Sequence, residues 1–145
     1  MPKVRDILAR KGVAVVSIAP TNTVFEAAEL MNERGVGGLL VVDEHKNLVG
    51  VFTERDILRR VVVAGRNPKT TQVAEVQTTS VVTCLPETSL DECSAIMTKR
   101  RIRHLPVADD NTVYGVVTIG DLLAFQVAEH ESTIEYLNSY MFGTR

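Results

Sequence analysis

Hydrophobic positions in this chain change period in the same order twice. An apolar run at 15–18 is followed by Pro20, then by Thr23 with Glu26 three residues on, the start signal of a capped helix. Val24, Ala27, Ala28 and Met31 then recur at the spacing of one helical face. Leu- and Val-rich runs at 38–42 and 48–52 predict two strands, and the polar stretch 43–47 between them predicts a hairpin turn. A second helix is expected after Thr53, carrying Ile57, Leu58 and Val61.

The second pass repeats this order. It has a strand at 81–84, Pro86, a Ser89 cap with Glu92, and a helical face of Leu90, Cys93, Ser94 and Met97. Strands at 104–108 and 113–117 flank a turn at 109–112, and a helix after Thr118 carries Leu122, Leu123 and Val127. Residues 15–43 match 81–109 at an offset of 66, and 50–56 match 115–121 at 65, after one deletion near Asn111. Matches in this order indicate an internal repeat. Each unit reads βαββα, so the fold class is α/β, built of tandem βαββα repeats.

Between the copies, 64–69 holds the Gly, Asn and Pro of a helix stop and loop. The stretch 73–76 predicts a short helical turn, with a counterpart at 4–8 ahead of the first copy. Residues 129–140 extend the last helix and put Ile134, Leu137 and Met141 near one side, a stripe suited to packing on the body or on a partner subunit. The expected division is 1–66 for the first unit with its N-terminal segment, 67–128 for the second with its linker, and 129–145 for a C-terminal helical extension. A unit of about 65 residues is marginal alone, so the halves should share a core.

Composition narrows the function. Lys+Arg 16 against Asp+Glu 18, a formal charge of -2, argues against a nonspecific nucleic-acid binder, and the absence of Trp argues against a base-stacking platform. No apolar run approaches the roughly 20 residues of a membrane span and no signal-peptide pattern is present, so a cytoplasmic protein is expected. Cys84 and Cys93 read as core, lacking the spacing of a zinc site. His45, His104 and His130 are scattered, and no nucleophile has an evident base beside it, so an enzyme is not expected.

The most specific signal is a phrase carried twice, Gly50-Val51-Phe52-Thr53-Glu54-Arg55-Asp56 and Gly115-Val116-Val117-Thr118-Ile119-Gly120-Asp121. With the helix beginning near Val24 and the segment Arg103-His104-Leu105-Pro106-Val107, it closely resembles the cystathionine-beta-synthase (CBS) domain pair, or Bateman module, over nearly the whole chain. That resemblance implies two βαββα units related by a pseudo-twofold axis, commonly assembled into a homodimer of four units. It also implies a regulatory protein that binds an adenine nucleotide, AMP first and NAD or ATP as alternatives, and signals occupancy to an effector protein. No catalytic cofactor or metal is implied. The alternative is a structural or protein-interaction module with vestigial clefts.

Two roles stay open for Asp56 and Asp121: an acidic residue favoured by a helix N-terminus, or a carboxylate that accepts the ribose hydroxyls of a nucleotide. Thr53 and Thr118 would cap the same helices, whose free N–H groups suit an anion. Arg103 and His104 are the first candidates to meet a phosphate, with Arg55, Arg100 and Arg101 behind them; the alternative is a solvated basic corner. A histidine near its ordinary pKa of about 6.5 would make that contact mildly pH dependent.

The first copy has Gly37 and Gly38 where the second has Arg103 and His104, so the two clefts should differ; the glycines admit either a close ligand or a tight turn. By the resemblance, the base would lie against Ser17 in one copy and Ser80 to Thr83 in the other, with Val82 or Pro106 on its face. Gln77, where an apolar residue would pack, either loosens that edge or contacts ligand.

Overall fold

A computed structural model describes residues 1–11, 15–110 and 112–142, with the side chains of 132, 133 and 135–142 outside the description. Each half carries a small sheet flanked by helices. In the first, α1 (Val4–Lys11) precedes β1 (Ser17–Ile18), α2 (Val24–Arg34), β2 (Gly38–Val42) and β3 (Leu48–Thr53). A short α3 (Glu54–Asp56) then runs into a π-helical stretch, Ile57–Val62. In the second, α4 (Val73–Val76) precedes α5 (Leu90–Arg100), β4 (His104–Asp109), β5 (Thr112–Thr118) and α6 (Ile119–Phe142).

The first sheet has the order β1-β2-β3, with β1 parallel and β3 antiparallel to β2. The second departs from the expected strand at 81–84: it is the antiparallel pair β4-β5, extended by a single parallel bridge from Cys84 to Val107. The approach to Cys84 is diverted to the other half, because Thr78 exchanges both backbone hydrogen bonds with Val51 of β3. Only Cys84 itself is left to bond β4, through Pro106 O and Ala108 N, both at 3.0 Å.

Capping explains where the helices begin. The Thr23 hydroxyl accepts from Glu26 N at 3.1 Å while Thr23 N donates back to Glu26 Oε1 at 2.8 Å, a closed capping box. Ser89 accepts from Glu92 N at 3.1 Å in the same way. Of the expected buried faces, Val24, Ala27, Met31, Leu90, Cys93 and Met97 are buried and Ala28 is half-buried, but Ser94 is exposed. Ile134 is exposed on α6, whereas the Leu137 and Met141 side chains and Asn111 lie outside the described residues.

The cores cross the order of the chain. Val4 and Ile7 of α1 pack with Cys84, Leu90, Cys93, Leu105 and Phe125 of the second half. Val73 and Val76 of α4 pack with Val24, Met31, Val41 and Phe52 of the first. The backbone repeats the exchange: Val4 N donates to Thr88 O and Val73 N to Asn22 O, each at 2.8 Å. Each half is thus completed by a helix that the chain places ahead of the other half, and neither core closes without both.

The same exchange accounts for Gln77. Its amide lies over Gly50, where a Cβ would come within 2.9 Å of Gln77 Cδ, just as Leu8 Cδ2 lies over Gly115 at 2.9 Å. Gln77 Nε2 reaches Val49 O at 3.5 Å, while its buried Oε1 has no partner among the described residues. Gln77 therefore packs on β3, as Leu8 does on β5.

Candidate functional site

Both Thr-x-x-Asp phrases fold as a strand end turning into a helix. At the first, Thr53 N donates to Asp56 Oδ2 at 3.0 Å and Asp56 N approaches the Thr53 hydroxyl at 3.4 Å. At the second, Thr118 N donates to Asp121 Oδ2 at 2.9 Å and Asp121 N to the Thr118 hydroxyl at 3.1 Å. The threonines cap α3 and α6, and the aspartates answer with their carboxylates.

The two carboxylates differ in their other partners. Asp56 is buried, at 7 % exposure, and its Oδ1 accepts from the Thr78 hydroxyl at 3.1 Å with Arg60 Nε at 3.8 Å. Asp121 is more open and is met by Lys11, whose ammonium lies 2.8 Å from Oδ2 and 2.9 Å from Val116 O.

Each aspartate opens on a cleft, and each cleft draws on both halves. The Asp56 cleft, about 220 Å³, is lined by Gly37, Thr53, Arg55 and Asp56 from the first half and by Ser80, Val82, Arg101, Arg103, His104 and Pro106 from the second. The Asp121 cleft, about 670 Å³, sets Lys11, Val16, Gly37 and Gly38 against Thr118, Gly120, Asp121, Arg103 and His104. This corrects the assignment of Gly37-Gly38 to one cleft and Arg103-His104 to the other: Gly37, Arg103 and His104 line both.

Three expected positions, Ser17, Thr83 and Arg100, line neither cleft. Ser17 and Thr83 are exposed, because alternation along an extended chain turns them away from the buried Ile18 and Cys84 beside them. Their neighbours Val16 and Val82 face the clefts instead. Arg100 is exposed at the end of α5 and lines neither cleft, whereas Arg55 and Arg101 line the Asp56 cleft.

The glycines at the centre make room for side chains, and Gly38 for an aromatic one. A Cβ on Gly38 would stand 3.1 Å from His104 Cδ2, and one on Gly37 would collide with Glu54 Oε1. The His104 ring therefore covers the wall that the first half leaves bare. Burial pushes its pKa below the ordinary histidine value, opposed by Glu54 and Asp121 and reinforced by Lys11 and Arg103. The shift favours the neutral ring over the cation.

Sequence reasoning passed over two residues, Glu54 and Lys11, and the backbone of a third, Arg101. Glu54 lines both clefts, Lys11 is brought to Asp121 by α1, and Arg101 has an unusual backbone. Arg101 ends α5 in the left-handed conformation, φ 55°, where α2 ends on Gly35 at φ 64°. That geometry costs a non-glycine residue on the order of 1 kcal/mol, and here it delivers a guanidinium to the Asp56 cleft. The Gly35/Arg101 mismatch across the repeat was the available signal.

A family model described as the CBS domain matches residues 4–63 and 73–128. The chain belongs to the CBS domain family. This CBS pair is 36% identical to the CBS domain-containing protein CBSX3, mitochondrial, of Arabidopsis thaliana, over 97% of its own length and 72% of that protein's. It is also 36% identical to the CBS domain-containing protein YhcV of Bacillus subtilis, over 91% of each. Among solved structures, the CBS domain protein NE2398 superposes with a TM-score of 0.82 at 38% identity, covering 86% of this chain and 97% of that one. The chain is a regulatory CBS module of the ligand-sensing kind.

Among the described residues of the CBS pair, no group of three or more His, Cys, Asp or Glu is placed to hold a metal ion, and no helix is long and apolar enough to cross a membrane. Cys84 and Cys93 are free and buried in one core. The contact with Cys93, together with burial, holds the Cys84 thiol well above its ordinary pKa, in keeping with packing and not with reactivity.

Proposed function

We propose that this CBS pair binds an adenine nucleotide in its clefts and transmits occupancy to a partner protein. The observation that carries the reading is the convergence, in one cleft, of Asp121, the capped N-terminus of α6, Lys11 and Arg103. A ribose diol suits the carboxylate, and a phosphate suits the cations and the helix N-terminus. The cleft's volume, about 670 Å³, falls within the roughly 300–1,000 Å³ usual for small-molecule sites. AMP is the first candidate, with NAD and ATP as larger alternatives that the smaller Asp56 cleft would exclude or admit only in part. Isothermal titration against AMP, ATP, NAD and S-adenosylmethionine tests the reading; heat from none of them overturns it.

The pair should act as a homodimer of four units. Leu58 and Val62 after α3, and Leu123 and Val127 on α6, are exposed apolar residues at equivalent places in the repeat, with Val63 and Ile119 exposed beside them. Burying such a surface against a second copy is favourable in proportion to its area. Sedimentation should give a dimer, and Leu58→Glu with Leu123→Glu should yield a folded monomer. Nucleotide occupancy would then bias the relative disposition of units or subunits, which is what a partner would sense.

A second reading, an interaction module with vestigial clefts, draws on the internal partners that both aspartates already have, Thr78 and Lys11. It expects Asp121→Ala to leave every ligand titration unchanged, whereas the first reading expects affinity to fall tenfold or more, about 1.4 kcal/mol.

A further inference from the structure

Lys11 and Thr78 play equivalent parts in the two halves: Lys11 Nζ donates to Val116 O and Asp121 Oδ2, where Thr78 donates from its N to Val51 O and from its hydroxyl to Asp56 Oδ1. Lys11 lines the Asp121 cleft and Thr78 the Asp56 cleft. At this equivalent position one carboxylate is met by a cation and the other by a neutral hydroxyl.

That charge is committed to the carboxylate a ribose would need. Lys11 Nζ and Thr118 N both donate to Asp121 Oδ2, at 2.8 and 2.9 Å. A vicinal diol that engages both carboxylate oxygens must take Oδ2 from the ammonium. The Lys11 and Asp121 side chains are 34% and 21% exposed, and the displaced ammonium gives up its short contact with the carboxylate. An ammonium without that contact gains most from a ligand that brings an anion of its own. At Asp56 the equivalent step releases the neutral Thr78 hydroxyl from Oδ1, while Arg60 Nε stands farther off at 3.8 Å.

Resting on the nucleotide reading above, we infer that Lys11 makes the Asp121 cleft selective for phosphorylated nucleosides. The ammonium passes from Asp121 to the ligand's phosphate as the ribose takes its place on the carboxylate. At the Asp56 cleft the ribose would take the place of a neutral hydroxyl instead. Lys11 is thus a specificity-determining residue contributed by the helix ahead of the first repeat.

The test is titration of the ¹⁵N-labelled chain with adenosine and with AMP. Amide resonances of Gly120 and Asp121 follow one cleft, and those of Arg55 and Asp56 follow the other. In the wild type, AMP should bind the Asp121 cleft at least about tenfold more tightly than adenosine. Lys11→Met should collapse the Asp121 ratio to within about threefold, equivalent to less than 1 kcal/mol. Lys11→Arg should restore it, which a merely structural clamp would not require.

An unchanged ratio in Lys11→Met, or wild-type adenosine binding as tight as AMP at Gly120 and Asp121, overturns the inference while leaving the nucleotide reading intact. If neither compound moves any of these amides, the nucleotide reading itself fails and takes the inference with it. Should Lys11→Met not fold, the wild-type comparison of the two ligands decides the matter.

Discussion

The His104 imidazole lies against Gly38, close enough that a Cβ there would stand 3.1 to 3.3 Å from three of its ring atoms. These two residues are equivalents in the repeat, so at the pseudo-twofold axis one half supplies a ring and the other the space for it. Gly38→Val should force the ring out of this position at a cost of about 1–3 kcal/mol, the usual range for overpacking. The denaturant midpoint should fall accordingly, and ligand binding in both clefts should weaken, because His104 lines both.

Protonation of the same ring should destabilise the fold. Its pKa is depressed by burial in the folded chain, with Glu54 and Asp121 opposing and Lys11 and Arg103 assisting the shift. The unfolded chain then takes up a proton near pH 6.5 while the folded chain resists, so stability falls as pH drops below that value. The loss should level off below the folded pKa. Carboxylates with lowered pKa, such as Glu26, Asp43, Glu75 and Glu87, act in a more acidic window, below about pH 4.5. Urea midpoints at pH 7.5 and 5.5 should therefore separate more in the wild type than in His104→Gln.

The two aspartates should differ in what their loss does to stability. Asp56→Ala removes an acceptor for Thr53 N and leaves the Thr78 hydroxyl without it in a buried setting, costing about 2 kcal/mol. Asp121→Ala opens a more exposed cap and frees Lys11 toward solvent, costing about 1 kcal/mol or less. Chemical denaturation of the two variants gives the order directly.

Arg101 sets stability against function. Replacing it with Gly, as at Gly35, relieves the left-handed backbone and should raise stability by about 1 kcal/mol. The same change takes a guanidinium from the Asp56 cleft, so anionic ligands should bind there more weakly. A higher melting temperature together with a weaker titration is the expected result.

Much of this fold can be read along the chain because its causes are local. The capping box at Thr23 and Glu26, the αβ boundary at Thr118 and the paired strands 38–42 and 48–53 rest on contacts only a few residues apart or on simple periodicity. The strand expected at 81–84 was not realised because its hydrogen-bonding choices depend on Val51, a distant residue. Of the candidate site residues, Ser80, Val82 and Pro106 come together around Asp56, the aspartate of the other copy, while Arg103 and His104 line both clefts.

By itself, the order of apolar and polar residues determined that there are two βαββα copies, where their helices begin and which two aspartates end the repeated phrase. Tertiary structure alone decided that α1 completes the second core and α4 the first, and hence that Lys11 meets Asp121 and Ser80 faces the cleft of Asp56. The reason is physical: capping and periodicity act within a few residues, whereas the choice of which half a helix completes depends on the apolar surface available once both halves have formed. Two nearly identical phrases acquire unequal sites because the chain crosses between them.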